Sequence, residues 1–554
     1  MRMDLRILKK LLFNPAVFSL IFGLLLIAFV NRFPLGSLPE DPARSIERLI
    51  KAGVPDKANS IYHQMLENDP DNLALHHKYL RFRFQTASSR TGSPDKLPLV
   101  DYYSALASAE DTAAAGYYGL GWIATQQGDY SQAVAYFQQM PDRDQAYVNY
   151  AIGYAYLKAG EPLKAEGYFQ REIALGGNVA EATQNLASLY VEQGAVEQFR
   201  SLRSNPETAK FVGYGNLRKF MLITGDWWSY LRLIFYAPYR SISFLGGLNA
   251  LIICLVWMIF LTRIAVFKRK PFILYLALVI LGMLSANASL LVSDLLAGVS
   301  WSWLGGGFLS GLARMILLVG VVEESVKILP VLLLIILARR VDEPFDLIAY
   351  ASFSALGFAT LENALAFTSD GLGLVLPRFL YSTIFHIAMS GIIGYAWAGA
   401  RYLRPGNQVK AVLVGLILAA VIHGAFDFFL GFMGSKALLL SYALSLIMVR
   451  EYYRMICNTL NHSPYFQEQL SRSRRLLNVD LFLSAAFLLL VIGYLSYTAD
   501  LSTALANQRL VASGLSALPA AIVLVGSLGK IGLARGKQLP VLKIRTFSVA
   551  DNST

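Results

Sequence analysis

The chain is short of the groups that staple or charge a small soluble protein. Across 554 residues it has two cysteines, Cys254 in an apolar run and Cys457 in a basic loop. No disulfide framework follows, and any exported part must fold on its core alone. Histidine is almost as scarce, with six, and charged residues make up 16% of the chain. No HExxH pattern occurs, which removes the simplest helix-borne zinc motif. The net charge is +12, which in a soluble protein would suggest nucleic acid. Here the basic residues stand beside apolar runs, so membrane topology explains them and no nucleic acid partner is expected. What is plentiful is apolar: 55% of residues are hydrophobic and the mean hydropathy is +0.46. A polar stretch and a set of membrane spans must both be present.

Arg2, Arg6, Lys9 and Lys10 precede Leu11 to Val30, a run of the length that crosses a bilayer. No small-x-small cleavage site follows, so a retained anchor is expected in residues 1–33, with its N-terminus inside the cytoplasmic membrane. Further spans are expected at 242–262, 272–292, 315–338, 347–367, 379–400, 412–432, 437–449, 481–499 and 510–528, making about ten. Lys and Arg concentrate in the segments this topology puts inside. The outer loops hold Lys436 and Arg509, with Arg378 at a helix end. That bias is the positive-inside pattern. It places residues 34–240 outside the cytoplasm, the polytopic part at 241–530 in the bilayer, and a basic tail at 531–554 inside.

Residues 34–213 are polar and helical in period. Gly128, Ala133 and Phe137 recur 32 residues later as Gly160, Ala165 and Phe169. Gly53, Ala58, Tyr62 and Pro70 keep a similar spacing upstream, and Ala187 to Gly194 begins another unit. Small residues let paired helices approach while aromatics fill the gap between pairs. The pattern resembles a tetratricopeptide array, and a protein partner on its concave face is one reading; stacking alone would also explain these residues. Residues 214–240, with Trp227, Trp228, Tyr230 and Arg232, are aromatic and basic, as suits a segment on the lipid surface. The fold expected is all-α: a polytopic helical membrane bundle with an inserted extracytoplasmic repeat domain.

Inside the apolar runs stand groups that a bilayer does not solvate. Glu323, Glu324 and Lys327 lie at i, i+1 and i+4, so the lysine can pair with either carboxylate on one helix face. A charge at a helix centre costs on the order of 3 kcal/mol on insertion scales and marks function by default. Glu362 and Asn363 share the next span, His386 lies in the following one, and His423 with Asp427 is one turn apart in the span after that. At 1.5 Å per residue, the alternating helix directions put Glu323, Glu362, His386, His423 and Asp427 roughly 5 to 15 Å below the outer surface. Four helices would thus converge on a single site.

EExxK at 323–327, FxxxE at 358–362, a helix with Arg378 and His386, and HxxxD at 423–427 occur in that order on successive helices. This ordered set, within about residues 250–450, resembles the PrsW family of intramembrane proteases, which is distantly similar to CAAX prenyl endopeptidases. The latter have a histidine where this chain has Glu362. The resemblance implies peptide-bond hydrolysis of a membrane-protein substrate near the extracytoplasmic face, of the kind that begins anti-sigma-factor release and signalling. The repeat domain lies outside it.

Hydrolysis needs an activated water, an oxyanion stabiliser and a proton donor. The expected assignment makes Glu323 or Glu324 the base, paired with Lys327. Glu362 and His386 orient water or donate a proton, and Asn363 or His423, held by Asp427, faces the oxyanion. A second version needs no separate organic cofactor but places zinc among His386, His423 and Glu324, whose donor types suit it. Two other classes compete. A proton-coupled transporter would also bury such groups, though no repeated half is present; a membrane-anchored repeat scaffold would leave the charges unexplained.

Overall fold

The computed structural model describes residues 15–36, 38, 41–52, 54–89, 96–142, 144–297, 307–338, 340–369, 371–432, 434–471, 474–475, 479–528 and 530–541. The basic N-terminal flank, Gly53 and residues 542–554 lie outside them. The chain divides into two compact units, one of Met1–Leu38 with Phe235–Thr554, the other Pro39–Ile234. The second takes in most of the segment expected at the lipid surface.

After α1 (Pro15–Arg32) the Pro39–Ile234 unit is built from helical pairs. They are α2 (Pro42–Lys51), α3 (Pro55–Asn68), α4 (Leu73–Ser89), α5 (Lys96–Ala107), α6 (Ala113–Gln127), α7 (Tyr130–Gln138), α8 (Val148–Lys158), α9 (Pro162–Ala174), α10 (Val179–Gln193) and α11 (Val196–Ser204), followed by α12 (Tyr214–Ile223) and α13 (Trp227–Ser241). The sequence period has a direct cause. Gly128, Gly160 and Gly194 follow the first helix of successive pairs with φ of 85°, 80° and 68°, a left-handed turn that glycine adopts without penalty. Ala133, Ala165, Phe137 and Phe169 are fully buried. Phe137 lies against Gly121 and Phe169 against Gly153, where a side chain would collide with the ring.

A buried histidine ties successive helical pairs of this array together. His77 on α4 bonds the Tyr118 hydroxyl on α6 through Nδ1 at 2.8 Å, and its Nε2 lies 3.2 Å from Glu181 Oε2 on α10. Its ring also meets Trp122, Tyr147 and Tyr150 at 5.1, 5.5 and 5.3 Å. Glu172, also fully buried, accepts from the backbone N–H groups of Tyr147, Tyr150 and Asn178. Four helical pairs thus meet at one histidine.

The other unit continues with α14 (Phe244–Ile264), α15 (Phe272–Ala297), α16 (Phe308–Met315), a π-helical turn at Ile316–Val321, and α17 (Val322–Ala338). Then come α18 (Pro344–Ser369), a π turn at Arg378–Ser382, α19 (Thr383–Ala398), α20 (Gln408–Phe432), α21 (Gly434–Asn461), α22 (Val479–Asp500) and α23 (Thr503–Leu528). Among the described residues, seven helices are long and apolar enough to cross a membrane. The expected ten are therefore not reached. The Glu323 helix is split by the π turn and carries three charges; α21 runs on to Asn461, beyond the expected end at Val449, and becomes polar; the apolar part of α1 is short by this measure. The chain is a multi-pass membrane protein. A two-residue antiparallel pair, Arg474–Arg475 with Lys530–Ile531, is the only sheet among the described residues.

α18 is the central post, buried along its whole apolar length. Small residues make this possible: Gly357 lies against the Val279 backbone of α15, and Gly282 of α15 lies against Ser354. Close backbone approach is how membrane helices gain contact when there is no hydrophobic drive between them. At the far edge α1 packs on α22, where Asn31 and Asn507 exchange amide hydrogen bonds of 3.3 and 2.7 Å and both bond the Tyr494 hydroxyl.

Candidate functional site

Two glycines set the geometry of the site. Gly320, in the π turn, lies against the Ala420 carbonyl of α20, and Gly424 lies against the Ile316 backbone. The two segments meet main chain to main chain, which brings His423 beside Glu323 and Glu324.

Lys327 is fully buried and is the hub. Its Nζ lies 3.1 Å from Glu323 Oε2, 2.9 Å from Glu324 Oε1 and 3.0 Å from His386 Nδ1. An ammonium only donates, so these contacts use all three protons and His386 Nδ1 accepts. Phe358, the first residue of FxxxE, covers the ammonium with its ring face at 4.2 Å. The proton of a neutral His386 then sits on Nε2, which is 3.0 Å from Glu362 Oε2. That approach is off the direction of a hydrogen bond, and the buried Glu362 Oε2 has no other partner among the described residues.

Glu324 is saturated. Oε1 takes Lys327 and His423 Nδ1, the latter at 2.9 Å, and Oε2 takes the Ser390 hydroxyl at 3.0 Å. A carboxylate cannot donate, so His423 carries its proton on Nδ1 and presents a bare Nε2. That lone pair faces Glu323 Oε2 at 3.7 Å and Asp427 Oδ2 at 3.4 Å. Glu323 and Asp427 are partly exposed, at 19% and 28%, whereas Glu324 is not.

The convergence expected of Glu323, Glu362, His386, His423 and Asp427 is present. Asn363 is differently engaged: it donates to Thr383 Oγ1 and accepts from Arg378 Nη1, both at 3.0 Å, and is buried. Glu324, expected among the metal donors, is used up in holding His423. Glu323 is the carboxylate that shares a point with both imidazoles: one ligand atom from each of Glu323, His386 and His423 lies within 4.8 Å of the others. Ser390 is the partner that sequence reasoning missed. A serine in an apolar helix carries no spacing signal, although it is i+4 from His386 on the same face.

The donor set fits a divalent cation. Glu323, Glu324, Glu362 and Asp427 carry four negative charges, Lys327 and Arg378 two positive ones, and neutral imidazoles none. The two charges left over would be balanced by one divalent ion or two protons, and a low-dielectric site demands such balance. Two imidazoles with one carboxylate hold catalytic zinc with a position open to water. The carboxylate on His423 Nδ1 matches the outer-shell contact of ligating histidines.

Residues 270–451 match the model of the PrsW family of intramembrane metalloproteases. Residues 117–144 match a tetratricopeptide repeat model. Protease PrsW of Shouchella clausii is 32% identical over 126 residues, 23% of this chain and 58% of that protein. Protease PrsW of Bacillus subtilis is 32% identical over 111 residues, 20% of this chain and 51% of that protein. Protease PrsW of Geobacillus kaustophilus is 26% identical over 166 residues, 30% of this chain and 70% of that protein. The chain spans about half the length of the first two relatives, and α22, α23 and the repeat unit lie outside the family match.

Proposed function

We propose that the protein is an intramembrane endopeptidase that hydrolyses a peptide bond of a membrane-anchored substrate at Glu323, Glu362, His386 and His423. The observation that carries this reading is the acceptor surplus. Three helices, α17, α18 and α20, aim a bare imidazole nitrogen and three carboxylates at one partly exposed point, and α19 adds His386 and the Ser390 that completes a saturated Lys327–Glu324–Ser390 base. A transporter reading has no comparable observation behind it. The matched relatives are proteases by name.

Glu323 and the bare Nε2 of His423 would hold the metal, and His386 would join them only by taking a proton from Lys327 on Nδ1 and giving up the one on Nε2. That ion would supply a more acidic water and polarise the scissile carbonyl. The chain's own residues do the rest. Glu324 and Ser390 hold His423 in one tautomer. Lys327 neutralises the buried carboxylates. Glu362, with an unbonded oxygen beside His386 Nε2, is placed to take a proton from water and hand it to the leaving amine. Glu323 stands at the water position in either version, as base or as ligand. The expected topology puts the N-terminus in the cytoplasm, the repeat domain outside the cytoplasmic membrane, and cleavage near the extracytoplasmic face. An anti-sigma-factor type of substrate, with a single span, would suit that depth, and the repeat domain would select partners.

The test is to incubate purified full-length protein with single-span substrates, with and without chelator, beside Glu323→Gln. Cleavage by the parent, lost in the variant, supports the reading. Equal cleavage by a well-folded variant assigns the chemistry elsewhere, and proton flux in liposomes is the next measurement.

A further inference from the structure

A peptide bond inside a bilayer is reached only after its helix unwinds, and each carbonyl freed in this way needs a new donor. The site has few to offer. The three protons of Lys327 are taken, His423 Nδ1 and Ser390 are spent on Glu324, and Asn363 is buried against Thr383. His386 Nε2 points toward Glu362. Of the two residues expected to face the oxyanion, His423 therefore has no free N–H, and the Asn363 amide is buried away from the open side.

Arg378 differs. It begins the π turn before α19, and its side chain is 21% exposed beside Glu362. Nη1 bonds Asn363 Oδ1 at 3.0 Å and lies 3.6 Å from Glu362 Oε1; these are its only side-chain contacts among the described residues. A guanidinium has five N–H donors in a rigid fork and keeps its charge, so Nε and Nη2 stay available. Thr383 Oγ1 also bonds the Arg378 carbonyl at 2.7 Å, and Asn363 bonds Thr383, so main chain and fork are clamped by one pair of residues. The clamp steadies the fork while leaving its outer edge open.

We propose that Arg378 receives a backbone carbonyl of the unwound substrate next to the bond that is cut. The guanidinium supplies the N–H groups that the substrate loses on leaving its helix, on the side where Glu362 is exposed. This assignment rests on the endopeptidase reading. Removing a donor of this kind costs about 10²-fold in rate.

The experiment uses full-length protein and a single-span substrate that the parent cleaves and Glu323→Gln does not. Arg378→Ala should lose about 10²-fold of kcat/KM. Added guanidinium should restore a measurable part of that loss, which it would not do if Arg378 only braced the helix. Asn363→Ala frees the fork without removing it and should lose less than Arg378→Ala. Both the loss and its rescue are required. An Arg378→Ala enzyme like the parent, or a loss that guanidinium leaves untouched, overturns the assignment while the endopeptidase reading stands. Should Arg378→Ala fail to fold, Arg378→Lys keeps a charge against Glu362 without the fork and carries the same two outcomes. If the parent cleaves nothing, the reading and this assignment fall together.

Discussion

Each unit of the protein has a buried histidine centre, and the two are built on opposite principles. Around His77 both ring nitrogens and the carboxylates have partners, Tyr118 on Nδ1, Glu181 and Asn178 on Nε2, and three backbone N–H groups on Glu172, and the one group left over is a donor, the Trp122 indole N–H. Around His423 the acceptors outnumber the donors, and Glu362 Oε2 has no hydrogen-bond partner among the described residues beyond the off-line approach of His386 Nε2. A satisfied network rigidifies, whereas an unsatisfied one in low dielectric persists only where it awaits a ligand or a charge. Burial and residue type alone would not separate the two; the donor and acceptor count does.

The sharpest way to break this contrast is to neutralise one carboxylate in each centre. Glu323→Gln should lose about 10²-fold or more of hydrolysis with folding retained. Glu172→Gln should leave turnover of a bundle-only substrate unchanged and lower the stability of the repeat domain, by about 1 to 3 kcal/mol for the bonds lost. If Glu323→Gln is as active as the parent, the surplus of acceptors has no catalytic meaning. Next comes metal. Chelation should abolish cleavage, and metal analysis should find one ion per chain in the parent, less in His423→Ala, and the parental amount in His77→Ala. Equal metal in all three would remove the charge-balance argument.

A smaller effect is expected at Gly320. Its β-carbon would meet the Ala420 carbonyl, so Gly320→Ala must shift α20 and with it the 3.7 Å spacing of Glu323 and His423. Misplacement on that scale should lower kcat by about tenfold or more. Unchanged kcat would show that the main-chain contact is incidental. The smallest effect is a pH slope. Burial pushes His77 down to about 3, so the folded repeat domain holds it neutral while the unfolded chain protonates it near 6.5. The unfolded state binds more protons between those values, so stability falls as pH drops from about 6.5 toward 3, at about 1.4 kcal/mol per unit for one histidine. Amide exchange on the full chain should show this slope over α4 to α10, reduced by one proton in His77→Gln. A slope unchanged by that substitution would deny the ring its neutral state.

The parts legible in the sequence were those with a period. Gly128 and Gly160 announce helix ends, Phe137 and Phe169 the gaps they fill, and charges in apolar runs mark the site. The rest depends on features without one. Nothing in Ile316–Val321 signals a π turn, yet its wider turn changes the angle at which Glu323 and Glu324 leave the helix. Which glutamate is saturated depends on Ser390, 66 residues away. The contacts that tie α4 to α6 and α10 depend on His77, in a helix without the repeat signature, so the repeat spacing could not announce them. The span count of ten is not confirmed among the described residues because α17 carries three charges and α21 runs on into a polar end.

The clasp between Asn31 and Asn507 bears on how the protein can be cut down. The membrane unit is discontinuous in sequence: its first helix precedes the repeat domain and its other helices follow it. A truncation beginning at residue 235 would keep every residue of the family match. It would also strip α1 from α22, expose the surface against which Gly23 packs on Phe487 and Val491, and leave the Asn507 amide and Tyr494 hydroxyl seeking partners in lipid. Such a fragment would be prone to pair through that bared edge. The membrane unit is therefore not one stretch of sequence but two, joined at the asparagine pair.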